Sequence, residues 1–531
     1  MTKDLLILKD KFFAGIVRDE KSKTPGALSN CEELDIFTNG DFIQPEQVMS
    51  ADALPASSEA YAYSAGDDDT MYAYGQKTDA TAGTVRLFSV ASGGATDPST
   101  FSTLFTSADT TYLASPVGDM KFFRTTEASN ATSLYYIGGT STTWYLRRYN
   151  IGAAAEQIWD GSTWTAGSTN ASSDLTGLNG SFMRPTMKVI FGDLYICHGR
   201  YIAKVDADKT FTEKAFTLPS EWEAVDIISV GDKGLILCRN KNRLVNQSKC
   251  FWWDLSSTTQ FDDSFGLPMG GPLWVVNHKE TVKMACSQNG TFRIYQLSGP
   301  FQGALPIELP GIILSNMQSE STTQPISSPK MVSTKDNVLY FALYKTDKTG
   351  IYGLSQLDAD KPNALVLSKR FIPSGTTDYA SHKPTALCIQ GPNFYGAYYS
   401  GAANVNSRCE SANSPTRSSD AFFDTTWIDG GDGTKDKNLT EVILNCKPLT
   451  ASTSLSVKVL TDFDESTLTT LTRADATALN TTSAVLGHFV AGINNKKAFK
   501  IRVLFTSATT AMAKLQSIYL KVLTKEETAK K

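Results

Sequence analysis

The chain has 531 residues, 41% of them hydrophobic and 20% charged, which supplies apolar material for large cores and too little charge for a disordered polymer. With 50 basic against 54 acidic residues the net charge is −4, which excludes the strong positive field of a protein that grips nucleic acid or anionic membrane. Four histidines and eight scattered cysteines, none in a Cys-x-x-Cys pair, leave little from which to build a histidine metal centre or a zinc ribbon.

At the N-terminus, Leu5–Leu8 form an apolar run of four residues before Lys9 and Asp10. That is too short for a signal-peptide core, and no later stretch approaches the ~18 apolar residues of a membrane span. Short helices are predicted over Ala27–Phe37 and Pro45–Leu54, and residues 1–54 read as an N-terminal arm. From 55 to 415 one unit recurs: a strand, a tight polar turn, then a strand rich in aromatic and branched residues. It is present at Tyr61–Tyr74, Leu113–Phe123, Lys188–Cys197, Val225–Cys238, Leu273–Cys286, Met331–Leu343 and Thr385–Tyr399. The turns carry Gly, Asp and Asn, residues that accept the positive φ of two-residue hairpin loops. Third strands follow most units, as in Trp144–Tyr149 and Phe292–Tyr295. Antiparallel units repeating at roughly 50 residues predict a β-propeller, here of about seven blades, with six or eight also compatible with the irregular spacing.

The polar stretch Arg408–Ser419 reads as a linker. Beyond it, Leu455, Val457 and Val459 alternate with Ser454, Ser456 and Lys458, and the same alternation marks Ile501–Phe505 and Ile518–Val522. Period-2 patterning with one polar face predicts an antiparallel β-sandwich over 420–523, followed by a charged, frayed tail at 524–531. The predicted class is therefore all-β, a propeller followed by a C-terminal sandwich.

Chemistry-bearing motifs are sparse. There is no GxxxxGK[ST], GxSxG, HExxH or GxGxxG in its required context. His198, His278, His382 and His488 fall in different modules and read as structural. The acidic pairs Asp262-Asp263 and Glu221/Glu223 are the material a glycosidase would need, without a spacing that selects them. Asp160-Gly161-Ser162-Thr163-Trp164 resembles part of a sialidase Asp-box and reads more simply as a turn beside a packed tryptophan. Asp67–Asp69 and Asp429–Gly433 hold calcium-ligand types, and both read as acidic turns. Cys197, Cys238 and Cys286 close apolar runs and are expected to be free core residues, which fits a reducing compartment. No catalytic, cofactor-binding or metal-ligating residue is assigned, no cofactor is expected, and the chain reads as a non-enzyme.

Several stretches resemble the propeller proteins of tailed bacteriophages. They are Phe12–Ile16, Pro25–Ile36 and Asn39–Phe42; Asn242–Leu244 through Phe251–Asp254 to Phe261 and Gly270–Leu273; and Gly290–Tyr295 with Ser298–Pro300. Phe423–Gly431 is similar to the opening of that family's C-terminal part. Ala14 and Glu33 stand where the family has glycine and asparagine. The resemblance implies a virion structural protein of the tail or head-to-tail connector, made in the bacterial host cytoplasm. Its partners would be further copies in a ring, sixfold or a multiple, other tail or connector proteins, and DNA passing through the channel without sequence-specific binding. The alternative is a carbohydrate-binding receptor module at a phage tip or cell surface, with exposed tryptophans such as Trp164 and Trp427 stacking on sugar rings.

Overall fold

The computed structural model describes residues 2–525 with breaks, the longer ones at 17–26, 36–43, 92–100, 167–173, 318–325, 357–364, 372–382, 400–407, 412–420 and 475–485. The chain is all-β and forms two compact units, one of residues 50–350 and 373–413, the other of 1–49, 351–372 and 414–531.

The larger unit is a β-propeller. Its first blade is a meander of Ser58–Ala65, Thr70–Lys77, Val85–Ala91 and Ser102–Thr106, and its second begins with Met120–Arg124, Thr132–Gly139, Trp144–Asn150 and Ala155–Trp159. The third runs from Thr186–Ile190 to Phe211–Thr217 and the fourth from Trp222–Val230 to Asp263–Leu267. The fifth contains Pro272–His278, Thr281–Gln288, Thr291–Leu297 and Pro306–Leu314. The sixth contributes the hairpin Val332–Lys335 and Val338–Leu343 to this unit. The seventh holds Lys383–Gln390, Asn393–Tyr399 and Arg408–Ser411, and Ser50–Asp52 completes it by pairing with Arg408–Ser411. An early strand thus joins the last blade, which fastens the ring by main-chain hydrogen bonds.

A single meander has two apolar faces, and each is buried against the next blade. Tyr74, Leu87, Leu134 and Tyr136 share a core between blades one and two. Further cores join two to three, three to four, and four to five. Phe341 of the sixth blade packs 5.6 Å from Trp274 and 5.4 Å from Phe292 of the fifth, and Tyr340 lies 4.9 Å from Phe394 of the seventh. Tyr63 and Tyr395 close the circle at 6.1 Å. Such aromatic pairs add about 0.5–1.5 kcal/mol each beyond their area.

The innermost strands are also tied together by polar side chains. Ser64 Oγ accepts from Phe122 N at 2.8 Å, Asp119 Oδ2 from Met187 N at 2.9 Å, and Asp226 Oδ2 from Val275 N at 3.0 Å. Bulges interrupt the first strands at Ala60/Ala62 and Ala224/Asp226, leaving the carbonyls of Tyr61 and Val225 outside the ladder. Thr186 Oγ1 donates to Val225 O at 3.0 Å. Lys330, ahead of the sixth blade, donates to Tyr61 O at 2.9 Å and Gly118 O at 2.7 Å. Its ammonium therefore crosses the middle of the propeller.

The smaller unit is a sandwich whose core includes Leu439, Val442, Leu455, Val457, Val459, Ile501, Val503, Phe505, Ile518, Leu520 and Val522, the alternating residues of its strands. Its N-terminal contribution is extended. Thr2–Asp10 pairs with Leu515–Lys525, and Ala27–Glu32 pairs with Phe422–Thr425. In place of the helix expected over 27–37 stand the strands Ala27–Glu32 and Leu34–Asp35, with Leu28 and Cys31 in the sandwich core. The second expected helix is replaced by the strands Gln44–Pro45 and Ser50–Asp52. In both, long-range pairing outweighs weak local periodicity. Arg408–Ser411, expected to open a linker, is a blade strand, while 412–420 and the tail 526–531 lie outside the described residues. No helix among the described residues is long and apolar enough to cross a membrane.

Candidate functional site

Side chains converge on a cleft of about 400 Å³ at the junction of the fourth and fifth blades, lined by Pro268, Met269, Gln288, Asn289, Thr291, Arg293, Tyr295 and Glu308. Its rim follows from local backbone chemistry. Asn289 and Gly290 have φ of +52° and +72°, the paired left-handed conformations of a type I′ turn, so Asn-Gly is suited to this hairpin. The facing connector carries Gly270 and Gly271 because it runs too close to its neighbours for a side chain. A Cβ on Gly270 would lie 2.0 Å from Asn246 O, and one on Gly271, at φ +64°, 2.0 Å from Ser287 O. Gln288 Oε1 accepts from Gly270 N at 3.1 Å and Ser287 N donates to Gly271 O at 2.8 Å, pinning the connector to the turn.

Strand alternation sets the floor: Thr291, Arg293 and Tyr295 point to one face of the third strand. Tyr295 stands directly opposite Glu308 on the fourth strand. Arg293 Nη1 donates to both carboxylate oxygens of Glu308, at 2.9 and 2.8 Å, and both side chains stay about one-third exposed. Burial pushes the Tyr295 phenol up to about 12, so it is neutral at physiological pH. The site thus presents amide, hydroxyl, phenol and one internally neutralised ion pair beside the apolar Pro268 and Met269.

The residues singled out by sequence lie elsewhere. His198 is fully buried with Nε2 2.8 Å from Glu213 O, and His278 Nε2 is 2.8 Å from Asn337 O. Burial lowers both to about 4, so each is a neutral structural histidine. His488 is paired with Glu441 on the sandwich surface at 2.5 Å, and His382 lies outside the described residues. Asp262 is bound to Lys233 at 2.6 Å, and Glu223 lies 3.6 Å from Arg239. Asp160 Oδ1 accepts from the amides of Ser162 and Thr163, both at 2.8 Å, in a turn beside the packed Trp159 and Trp164. Asp67 pairs with Arg124 at 2.8 Å, while Asp68 and residues 430–432 lie outside the described residues. No metal-holding cluster occurs among the described residues.

The tryptophan expectation is corrected. Trp164 and Trp427 are only 6% and 7% exposed, too buried to stack on a sugar. Trp164 Nε1 donates to Lys209 O at 2.7 Å, and Trp427 lies under the Lys500 ammonium. In the sequence, Gly270-Gly271 and Gly290–Tyr295 stand out as motifs of a family resemblance and not as a site. The available signal was the Asn-Gly turn followed by polar residues at alternate positions of one strand.

No protein-family model and no curated protein matches the sequence. Among solved structures, the chain is similar to an exo-β-1,3-galactanase from Phanerochaete chrysosporium, at 10% identity and a TM-score of 0.30, covering 92% of this chain and 99% of that one. It is also similar to a glycoside hydrolase (13% identity, TM-score 0.29, 89% and 99% covered) and to the Dos1 propeller (12%, 0.39, 68% and 85%). The assignment as a non-enzyme is corrected on this finding, since glycoside hydrolases are among the proteins it is similar to. At TM-scores of 0.29 to 0.39 these likenesses carry no activity and no residue role to this chain.

Proposed function

We propose that the protein is a carbohydrate-binding β-propeller module acting at a phage tip or a cell surface, with the fifth-blade cleft as its binding site. The observation that carries this reading is the composition of that cleft. Small-molecule sites are concave, of about 300–1,000 Å³, and combine apolar wall with a few placed polar groups. Sugar hydroxyls need donors and acceptors in close array, which Asn289, Thr291, Gln288, Arg293 and Glu308 supply, while Pro268 and Met269 offer surface for the ring's C–H face. The test is a glycan array with the wild type and an Asn289→Ala/Thr291→Val double variant. Binding by the wild type that the variant loses supports the proposal. No binding by the wild type, or equal binding by the variant, refutes it.

A second reading is favoured by a separate observation. Phe301, Leu305 and Ile307 of the fifth blade are 56–64% exposed, and Phe261 of the fourth is also exposed. Lys233 ties the two loops together, reaching Asp262 at 2.6 Å and Gln302 at 2.8 Å. Clustered exposed apolar residues mark association surfaces. On this reading the chain is a ring-forming component of a tailed-phage tail or connector, and the DNA channel is enclosed by the ring of copies, because Lys330 crosses the propeller's own middle. Light scattering should then give a sixfold or multiple assembly that Leu305→Ser/Ile307→Ser disperses. A wild type that stays monomeric at micromolar concentration would count against it.

A further inference from the structure

We infer that the fifth-blade cleft selects neutral sugars and rejects those bearing carboxylate or sulfate groups, an inference that rests on the carbohydrate reading of the cleft. Three of its lining residues can ionise: Arg293, Glu308 and Tyr295. The guanidinium and the carboxylate are joined by two hydrogen bonds through Nη1, so their charges cancel within the site. Tyr295, 1% exposed, remains a neutral phenol because burial opposes its ionisation. The other lining side chains are amides, a hydroxyl, a thioether and a proline ring.

Glu308 occupies only Nη1 of Arg293, so an anionic sugar drawn to the remaining N–H donors would lie within the field of the Glu308 carboxylate. That places two negative charges side by side on one cation, a like-charge juxtaposition that a binding site disfavours. A neutral sugar meets no such conflict, because it can donate a hydroxyl to the carboxylate and accept from the guanidinium without separating them. Glu308 is therefore placed as the residue that sets charge selectivity, through its hold on Arg293.

The experiment titrates the full chain with neutral β-linked gluco- and galacto-oligosaccharides and with uronic-acid- and sulfate-bearing counterparts of equal length. The wild type should bind the neutral set at least about tenfold more tightly. Glu308→Gln, which frees the cation, should move the preference toward the anionic set by a similar factor. Ionic strength provides a readout independent of any variant's folding, since wild-type affinity for the neutral set should hold between about 20 and 500 mM salt. Wild-type preference for the anionic set, or a strong salt dependence with neutral sugars, would overturn the selectivity and leave the carbohydrate reading standing. Binding of neither set would overturn both.

Discussion

Asp226 offers a sharp test of how the propeller is held together. It is completely buried, with Oδ1 accepting from Ile227 N and Oδ2 from Val275 N in the next blade, both at 3.0 Å, and with the Lys188 ammonium 3.8 Å away. Burial dominates these contacts and raises the carboxyl to about 6. An unfolded aspartate titrates near 3.9, so between roughly pH 4 and 6 the folded chain holds a proton that the unfolded chain releases. Stability from this group is full below pH 4 and falls as pH rises through 6. Two pH units at about 1.4 kcal/mol each give a loss of about 3 kcal/mol. His198 and His278 act oppositely, because folded values near 4 make the native state resist protonation as pH falls below 6.5. The informative quantity is therefore the difference between wild type and Asp226→Asn, measured by denaturant unfolding from pH 4 to pH 8. Near pH 4 the difference reports only the amide facing one backbone N–H, a cost of about 1–3 kcal/mol to the variant. It should shift by about 3 kcal/mol in the variant's favour by pH 7. A pH-independent difference, or one moving the other way, would show that burial does not raise the Asp226 carboxyl.

Other expectations concern single features. Lys330→Met removes two charged hydrogen bonds across the middle of the propeller and should cost about 2–4 kcal/mol in chemical denaturation; an unchanged midpoint would show that the bridge is dispensable. Glu280 sits at φ +59° in a type I′ turn, so Glu280→Gly should stabilise by about 1 kcal/mol and raise Tm, whereas a lower Tm would contradict the strain. Gly271→Ala places a methyl 2.0 Å from Ser287 O at positive φ, and should lower stability by about 2–4 kcal/mol while disturbing the cleft rim. Glycan affinity retained in a folded Gly271→Ala protein would detach the rim from binding.

The repeat was readable because hairpin turns and strand alternation are local signals. Gly192, Gly231 and Asn337 stand in the positive-φ turns their chemistry suggested, and Val457, Val503 and Leu520 point into the sandwich core as their alternation implied. What stayed hidden depends on partners distant in sequence. The Ser50–Asp52 strand is too short to carry a pattern of its own, and its identity comes from Arg408–Ser411. Ala27–Glu32 likewise takes its conformation from Phe422–Thr425. The cleft was hidden for a related reason. Met269, Arg293 and Glu308 belong to three different elements, and composition does not reveal that Arg293 is neutralised by Glu308. Trp164 and Trp427 misled because tryptophan serves both cores and sugar sites, and only burial tells them apart.

Sugar binding at the fifth-blade cleft is tested most directly by a crystal structure of the full chain soaked with a neutral oligosaccharide that it binds in solution. Electron density is expected for a sugar ring between Met269 and the Arg293–Glu308 pair, with its hydroxyls within hydrogen-bond reach of Asn289 or Thr291. Density for the sugar on another surface, with this cleft unchanged, would contradict it.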